Sequence, residues 1–226
     1  MSSDALKQVA APSSLRLVLT LAIAGLVSGV AIIGIYESTL PTITANKARE
    51  LREAVFKVLP GVSQMQALVY RDGSIMAVAE PEKDELVVYG GYDEQGDFVG
   101  YAMPGAGPGF QDTIAILYGY VPQQKQVVGM EVLESRETPG LGDKIYKDAE
   151  FVAEFSGLSV EPEIVAVKKG TSTQPNEVDA ITGATISSKA IVRIINETHT
   201  AWTGQLPAPG SEPPFAEAPA DSGTGQ

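Results

Sequence analysis

The sequence contains no cysteine and a single histidine, His199. Without thiols there are no disulfides, no thiolate-held iron–sulfur clusters and no cysteine nucleophile. One imidazole cannot supply the multi-histidine sites that hold zinc, copper or non-haem iron. His199 falls near the end of the last helix that the pattern predicts and reads as a surface or cap residue. Positive charge is also scarce: 16 Lys and Arg stand against 28 Asp and Glu, a net charge of −12. A nucleic-acid binder needs clustered basic residues, so that class is excluded. No internal repeat is visible. If this chain moves electrons, an organic cofactor must carry them.

What is present is a chain of 226 residues, 44% of them hydrophobic, enough for one fair-sized domain with extensions. Residues 1–14 are small and polar and read as a flexible N-terminus. From Leu17 to Tyr36 the chain carries no charge, with Arg16 and Glu37 at the two ends. Such a run of about 20 residues crosses a hydrocarbon core of about 30 Å as a helix. A transmembrane helix over 15–37 is therefore expected. A cleaved signal peptide is the competing reading, but its apolar core runs about 7–15 residues and a small-x-small cleavage site follows it. Gly25 and Gly29 form a Gly-x-x-x-Gly pair that permits close helix approach. Lys7 and Arg16 precede the span and Lys47, Arg49 and Arg52 follow it, so basic residues do not set its sidedness.

A second, amphipathic helix is expected over Ile43–Leu59, with Leu51, Val55, Phe56 and Leu59 on one face and Pro60-Gly61 as its stop. Strand patterns follow at Gln66–Arg71, Glu85–Tyr89, Asp97–Tyr101, Thr113–Val121 and Gln126–Leu133, separated by turn residues such as Asp72-Gly73. The nearly continuous apolar run Ile114–Tyr118 predicts a central strand. Pro104-Gly105-Ala106-Gly107-Pro108-Gly109 reads as a loop; it lacks the strand–turn–helix setting of a nucleotide fingerprint. A short helix is expected over Asp148–Phe155, ending at Gly157, and a strand over Glu163–Lys168. Beyond Gly204 the chain is rich in Pro, Gly, Ala, Ser and acid, which predicts a disordered tail over 204–226 anchored only by Leu206 and Phe215.

Two segments carry the chemistry. Asp179-Ala180-Ile181-Thr182-Gly183-Ala184-Thr185-Ile186-Ser187-Ser188 places a glycine turn and four hydroxyls just ahead of an apolar run at helical spacing. A helix start has unpaired N–H groups and a positive dipole end, so it suits an anion, although a plain N-cap reads the same way. Upstream, Glu137-Thr138-Pro139-Gly140-Leu141-Gly142 fixes a turn whose glycines allow another surface to approach the backbone. By itself this is a tight surface loop.

Asp-x-x-Thr-Gly-Ala-Thr-x-Ser together with that Thr-Pro-Gly-Leu-Gly loop resembles the FMN-binding domain of two membrane redox pumps. These are the G subunit of the Rnf electron-transport complex and the C subunit of the sodium-translocating NADH:quinone reductase. The resemblance extends over roughly residues 15–203, and Gly142-Asp143-Lys144-Ile145 leans towards the Rnf member. It implies an α+β fold: one N-terminal transmembrane helix, then a single mixed α/β FMN-binding domain with a mostly antiparallel sheet over 38–203. It implies FMN joined by a phosphoester to Thr185, placed there by a flavin transferase, with Thr182 as the competing hydroxyl. Thr182, Gly183, Ala184, Ser187 and Ser188 would surround the phosphate. The amides of Thr138, Gly140, Leu141 and Gly142 would meet the ring's polar edge, with the Leu141 side chain on its face. Asp179 would belong either to the transferase's recognition motif or to a plain Asx-type turn, and Arg136 and Glu137 would only shape their loop.

The resemblance further implies a bacterial inner-membrane protein with its domain on the periplasmic side, working with other subunits of the complex as an electron relay rather than a stand-alone catalyst. No general base, nucleophile pair or metal-ligand set stands in the sequence. A stand-alone membrane-anchored flavin sensor is a different class of reading. So is a hydrolase using Thr185 as nucleophile, which lacks a base partner.

Overall fold

A computed structural model describes residues 13–82 and 85–215. Its first element, α1 (Ser14–Val58), is a single 45-residue helix. The sequence suggested two helices, a span over 15–37 and a second from Ile43. The intervening Ser38–Pro41 does not break the helix. Pro41 lacks one N–H, but Ser38 and Thr39 hydroxyls donate to the Ile35 carbonyl and Thr44 to that of Leu40, keeping polar groups of this turn engaged. The N-terminal part of α1 is long and apolar enough to cross a membrane, and its large side chains are exposed. The compact units divide at Ala48/Arg49, so the last turns of α1 belong with the C-terminal domain rather than with the span.

In that C-terminal unit the strands are β1 (Gln64–Arg71), β2 (Ser74–Val78), β3 (Val87–Tyr92), β4 (Phe98–Pro108), β5 (Thr113–Val121), β6 (Gln126–Glu134) and β7 (Leu158–Ser159). They form one antiparallel sheet in the order β2-β1-β3-β4-β5-β6-β7. Asp72 and Gly73, both at positive φ, turn β1 into β2, the backbone twist that a two-residue hairpin needs. Two short helices, α2 (Lys144–Lys147) and α3 (Ala149–Ala153), follow β6. The Asp148 carboxylate caps α3 by accepting from the Glu150 and Phe151 amides. A parallel pair, β8 (Val165–Lys168) and β9 (Glu177–Ala180), leads into α4 (Thr185–Trp202).

The sheet is buried on both faces, and strand alternation sorts its residues. Tyr101, Met103, Ile114, Ile116 and Tyr118 point into the larger core with Ile191, Ile194, Ile195 and Trp202 of α4. Ala102 and Leu117 face the other way, onto Ala54, Val55, Val58 and Leu59 at the end of α1. This double burial is why Ile114–Tyr118 reads as an unbroken apolar run.

The expected loop at Pro104–Gly109 is instead mostly strand, since β4 runs to Pro108. Past Ala102 it has no partner on the β3 side, which is where strand prolines are tolerated. Gly105 and Gly107 serve close packing here: a Cβ on either would run into Ile194, and on Gly105 into Thr198 as well. On the opposite face a Cβ on Gly119 would meet the Val58 carbonyl oxygen and Leu59. Gly119→Ala is accordingly expected to lower stability by about 2 kcal/mol, as overpacking against backbone does. Thermal melts of the two proteins check this.

The tail also differs from expectation. Residues 204–215 are laid against the sheet, with Leu206 packed on the larger core and Phe215 against Tyr92. The two apolar residues noted as anchors are joined by hydrogen bonds from Tyr92 and Gln66 to the Pro213 and Pro214 carbonyls, and the prolines leave less backbone entropy to lose. The flexible N-terminus expected over 1–14 lies almost wholly outside the described residues, and so does 216–226.

Candidate functional site

β9 ends at Ala180, and the chain then turns through Ile181–Ala184 into α4. The Ala184 amide donates to the Ile181 carbonyl, and Gly183 sits at φ +84, a conformation that penalises any side chain. The Ser188 hydroxyl accepts from the Ile181 amide and donates to the Ala184 carbonyl, clamping the turn from inside. Ala184 occupies the N-cap position without a capping side chain. The amides of Thr185, Ile186 and Ser187 thus have no protein acceptor among the described residues, and they form the positive end of an 18-residue helix. Thr185 is exposed, and its Oγ1 lies 3.5 Å from the Ile181 carbonyl oxygen, the outer limit of a hydrogen bond.

The loop after β6 is brought against this helix start. The Thr138 carbonyl accepts from the amides of Leu141 and Asp143, and the Asp143 carboxylate accepts from the Gly140 amide and pairs with Lys147 at 2.6 Å. These bonds hold the loop rigid, with Gly140 at φ +79. They also correct the expected set of ring contacts. The amides of Gly140 and Leu141 are used inside the loop, which leaves those of Thr138 and Gly142 free of a protein acceptor among the described residues.

Between the two segments lies an open cleft of about 330 Å³ lined by Phe110, Thr138, Leu141, Gly142 and the run Gly183–Ser187. A Cβ placed on Gly183 would be 3.9 Å from Leu141 Cδ2, so the two loops approach each other closely here. Phe110, Leu141 and Ile186 are 64%, 51% and 57% exposed, an apolar rim beside a row of free amides. Thr182 is exposed but outside the cleft lining, as are Gly140 and the buried Ser188.

Glu137, expected only to shape its loop, is the bracket of the site. It is 5% exposed. Its Oε1 accepts from the amides of Phe110 and Gln111 in the β4–β5 turn, and Oε2 accepts from the buried Ser187 hydroxyl at 2.6 Å. One carboxylate therefore joins three segments distant in sequence. Gly109 and Gly142 must be glycine because a Cβ on either would collide with Glu137. Burial alone would raise the Glu137 carboxyl, but the Ser187 hydroxyl and the amides of Gln111 and Phe110 outweigh it and hold the group below its usual range. The Ser187 hydroxyl is thus engaged, and only its amide is left without a protein acceptor among the described residues. No local signal carries the roles of Phe110 and Glu137, because they arise from strands that meet only in the fold.

Asp179 faces another task. Its carboxylate accepts from the amides of Gly170, Thr171 and Ser172 and so fixes the loop between β8 and β9. Burial works against its ionisation, yet these amides prevail and lower its pKa. His199 is half-buried, edge-on to Tyr120 at 4.8 Å, and burial lowers its pKa. No group of His, Asp or Glu able to hold a metal occurs among the described residues.

This geometry fits a phosphorylated planar ligand: free amides and a hydroxyl for the anion, and an apolar rim with two free amides for a flat polar-edged ring. Comparison with known proteins agrees with that chemistry. Residues 109–199 match the model of the FMN-binding domain family, a stretch that contains both loops. The G subunit of the Na(+)-translocating ferredoxin:NAD(+) oxidoreductase complex of Acetobacterium woodii is 34% identical over 148 residues, covering 62% of this chain and 68% of the relative. The G subunit of the ion-translocating oxidoreductase complex of Escherichia coli is 31% identical over 182 residues, covering 75% and 84%. Among solved structures, NqrC of Shewanella oneidensis superposes with a TM-score of 0.52 at 20% identity, covering 67% of this chain and 91% of that one. The C subunit of the Na(+)-translocating NADH-quinone reductase of Parabacteroides distasonis gives 0.51 at 22%, covering 63% and 77%. Those two likenesses establish the shared fold.

Proposed function

This chain belongs to the family of G subunits of ion-translocating oxidoreductase complexes, and from that premise we propose that it is a membrane-anchored electron relay with FMN held covalently on Thr185. The observation that carries the reading is the cleft in which an exposed threonine, the open first turn of α4 and the Thr138–Gly142 loop meet. Thr185 Oγ1 would be the attachment point for the phosphate, transferred during maturation by a flavin transferase from a flavin dinucleotide, whose phosphoanhydride bond breaks to release a nucleoside monophosphate as the hydroxyl gives up its proton. The Thr185, Ile186 and Ser187 amides stabilise the remaining phosphate charge. Leu141 and Phe110 offer apolar surfaces to the ring, and the amides of Thr138 and Gly142 face its polar edge. Bound there, the flavin supplies the redox chemistry; the protein fixes its place and surroundings.

A covalent tether keeps the carrier at its post in every redox state, which suits a relay between neighbours better than a freely exchanging cofactor. The uncharged part of α1 anchors the domain to the bacterial inner membrane as a single pass, with the domain on the periplasmic side and the other subunits of an Rnf-type complex as its electron partners. Trypsin releases Gly170–Lys189 as one peptide. When the full chain is co-expressed with a flavin transferase, the mass of that peptide is expected to rise by one FMN less water. Fragmentation is expected to place the addition at Thr185. An unmodified peptide, or an addition at Thr182, would overturn the assignment.

A further inference from the structure

At the β1–β3 side of the sheet the chain folds its own C-terminal segment onto a cluster of aromatic rings. Tyr92 packs edge-on to Phe98 at 5.7 Å, and Phe98 against Tyr101 at 4.7 Å. Tyr92 and Tyr101 are fully buried, and the Tyr101 hydroxyl is one of two buried side-chain polar atoms without a partner among the described residues. The segment leaves α4 at Gly204 (φ +85), is pinned at Leu206, and turns again at Gly210 (φ +89). Phe215 then completes the ring cluster, 5.4 Å from Tyr92.

The polar contacts are directional. The Tyr92 hydroxyl donates to the Pro213 carbonyl at 2.7 Å. One Gln66 side-chain amide nitrogen donates both to the Tyr92 oxygen at 2.5 Å and to the Pro214 carbonyl at 3.0 Å. Gln123 reaches the Glu212 carboxylate at 3.3 Å, and that carboxylate also accepts from the Gly210 amide. A proline-rich backbone has no N–H at each proline and makes no internal hydrogen bonds, so its carbonyls need outside donors. Here one aromatic ring, Tyr92, meets Phe215 of the segment while its phenol and a carboxamide donate to the successive Pro213 and Pro214 carbonyls, the kind of chemistry by which proline-rich peptides are read. Burial raises the Tyr92 pKa to about 12, so the phenol remains a donor throughout the ordinary pH range. The prolines add stiffness, which lowers the entropy lost on docking.

We propose that Gln66 and Tyr92, with the Phe98 and Tyr101 rings packed behind Tyr92, form a recognition surface for a proline-rich peptide, filled in cis by Glu212–Phe215 of the chain's own tail. The tail is a latch on a short tether: residues 203–211 connect it to α4, so it competes with any free copy at high effective concentration. This surface is independent of the cleft at Thr185, and neither assignment needs the other.

The test uses the full chain and a labelled synthetic peptide of residues 204–215. Phe215→Ala removes the aromatic anchor of the latch while leaving the recognition residues intact. Hydrogen exchange of amides within 204–215 is expected to accelerate at least about tenfold in that variant. The peptide is expected to bind the Phe215→Ala chain at least about tenfold more tightly than the unsubstituted chain, whose recognition surface is filled. Tyr92→Phe, made on top of Phe215→Ala, keeps the ring but deletes the donor, and is expected to weaken peptide binding by about tenfold. Unchanged exchange in Phe215→Ala, absence of peptide binding to that variant, or equal binding with and without the Tyr92 hydroxyl would each overturn the proposal.

Discussion

Thr185→Val is expected to leave no flavin fluorescence on the denatured band, and Thr182→Val to leave it at full strength. Valine has the shape and branching of threonine, so the change removes one oxygen and little else. The side chain is exposed at the first position of α4, where its only intramolecular bond among the described residues is the marginal one to Ile181. Loss of stability should stay within about 0.5 kcal/mol, as for exposed substitutions generally. Thr182 sits one turn earlier, outside the cleft lining and on the far side of Gly183 from the free amides. The measurement is in-gel fluorescence of the full chain and both variants, each co-expressed with a flavin transferase. Fluorescence that survives Thr185→Val would remove the covalent assignment to this residue. Thermal melts in parallel show whether a loss of label is a loss of fold.

Glu137→Ala is expected to destabilise the domain by about 3 kcal/mol and to dismantle the cleft. The substitution strands the Ser187 hydroxyl and the Phe110 and Gln111 amides, each a buried or half-buried donor that has lost a charged acceptor. Glu137→Gln is expected to cost less, because the amide oxygen still accepts from the two backbone donors. The pH dependence separates the two effects. The folded carboxyl titrates below its unfolded value near 4.3, so its ionised form contributes stability above that value. That contribution is lost as pH falls through the folded pKa. The stability gap between the unsubstituted chain and Glu137→Gln should therefore be widest near neutrality and narrow below about pH 4. Thermal melts of both proteins from pH 7 to pH 3 measure it. A gap that stayed constant across that range would mean that Glu137 acts by its shape and not by its charge.

The contrast between Thr185 and Glu137 marks how far the sequence could be read. Local signals sufficed for the apolar stretch of α1, for β5, for the turn at Asp72-Gly73 and for α4, because each depends on periodicity or on a backbone preference within a few residues. The two loops that line the cleft are set apart by the family resemblance and not by local signals, which read them as a plain N-cap and a tight surface turn. Where local signals misled, a distant partner decided. Pro104–Pro108 has the composition of a loop, but β5 pairs with it and α4 needs its glycines to come close. The tail has the composition of a disordered segment, but Tyr92 and Gln66 supply the donors that its proline carbonyls lack.

The sequence by itself excluded thiolate and multi-histidine metal centres, with no cysteine and one histidine, and its resemblance to the FMN-binding family implied a flavin on the threonine at the head of the last helix. Tertiary structure alone decided which polar groups remain free to meet a ligand. The amides of Gly140 and Leu141 and the hydroxyls of Ser187 and Ser188 look available in the sequence, yet each is taken by a partner inside the fold. A backbone N–H has a single proton to donate, so one that is taken inside the fold is not offered to a ligand. Whether it faces a neighbour or a ligand is settled only when strands far apart in the chain are packed together.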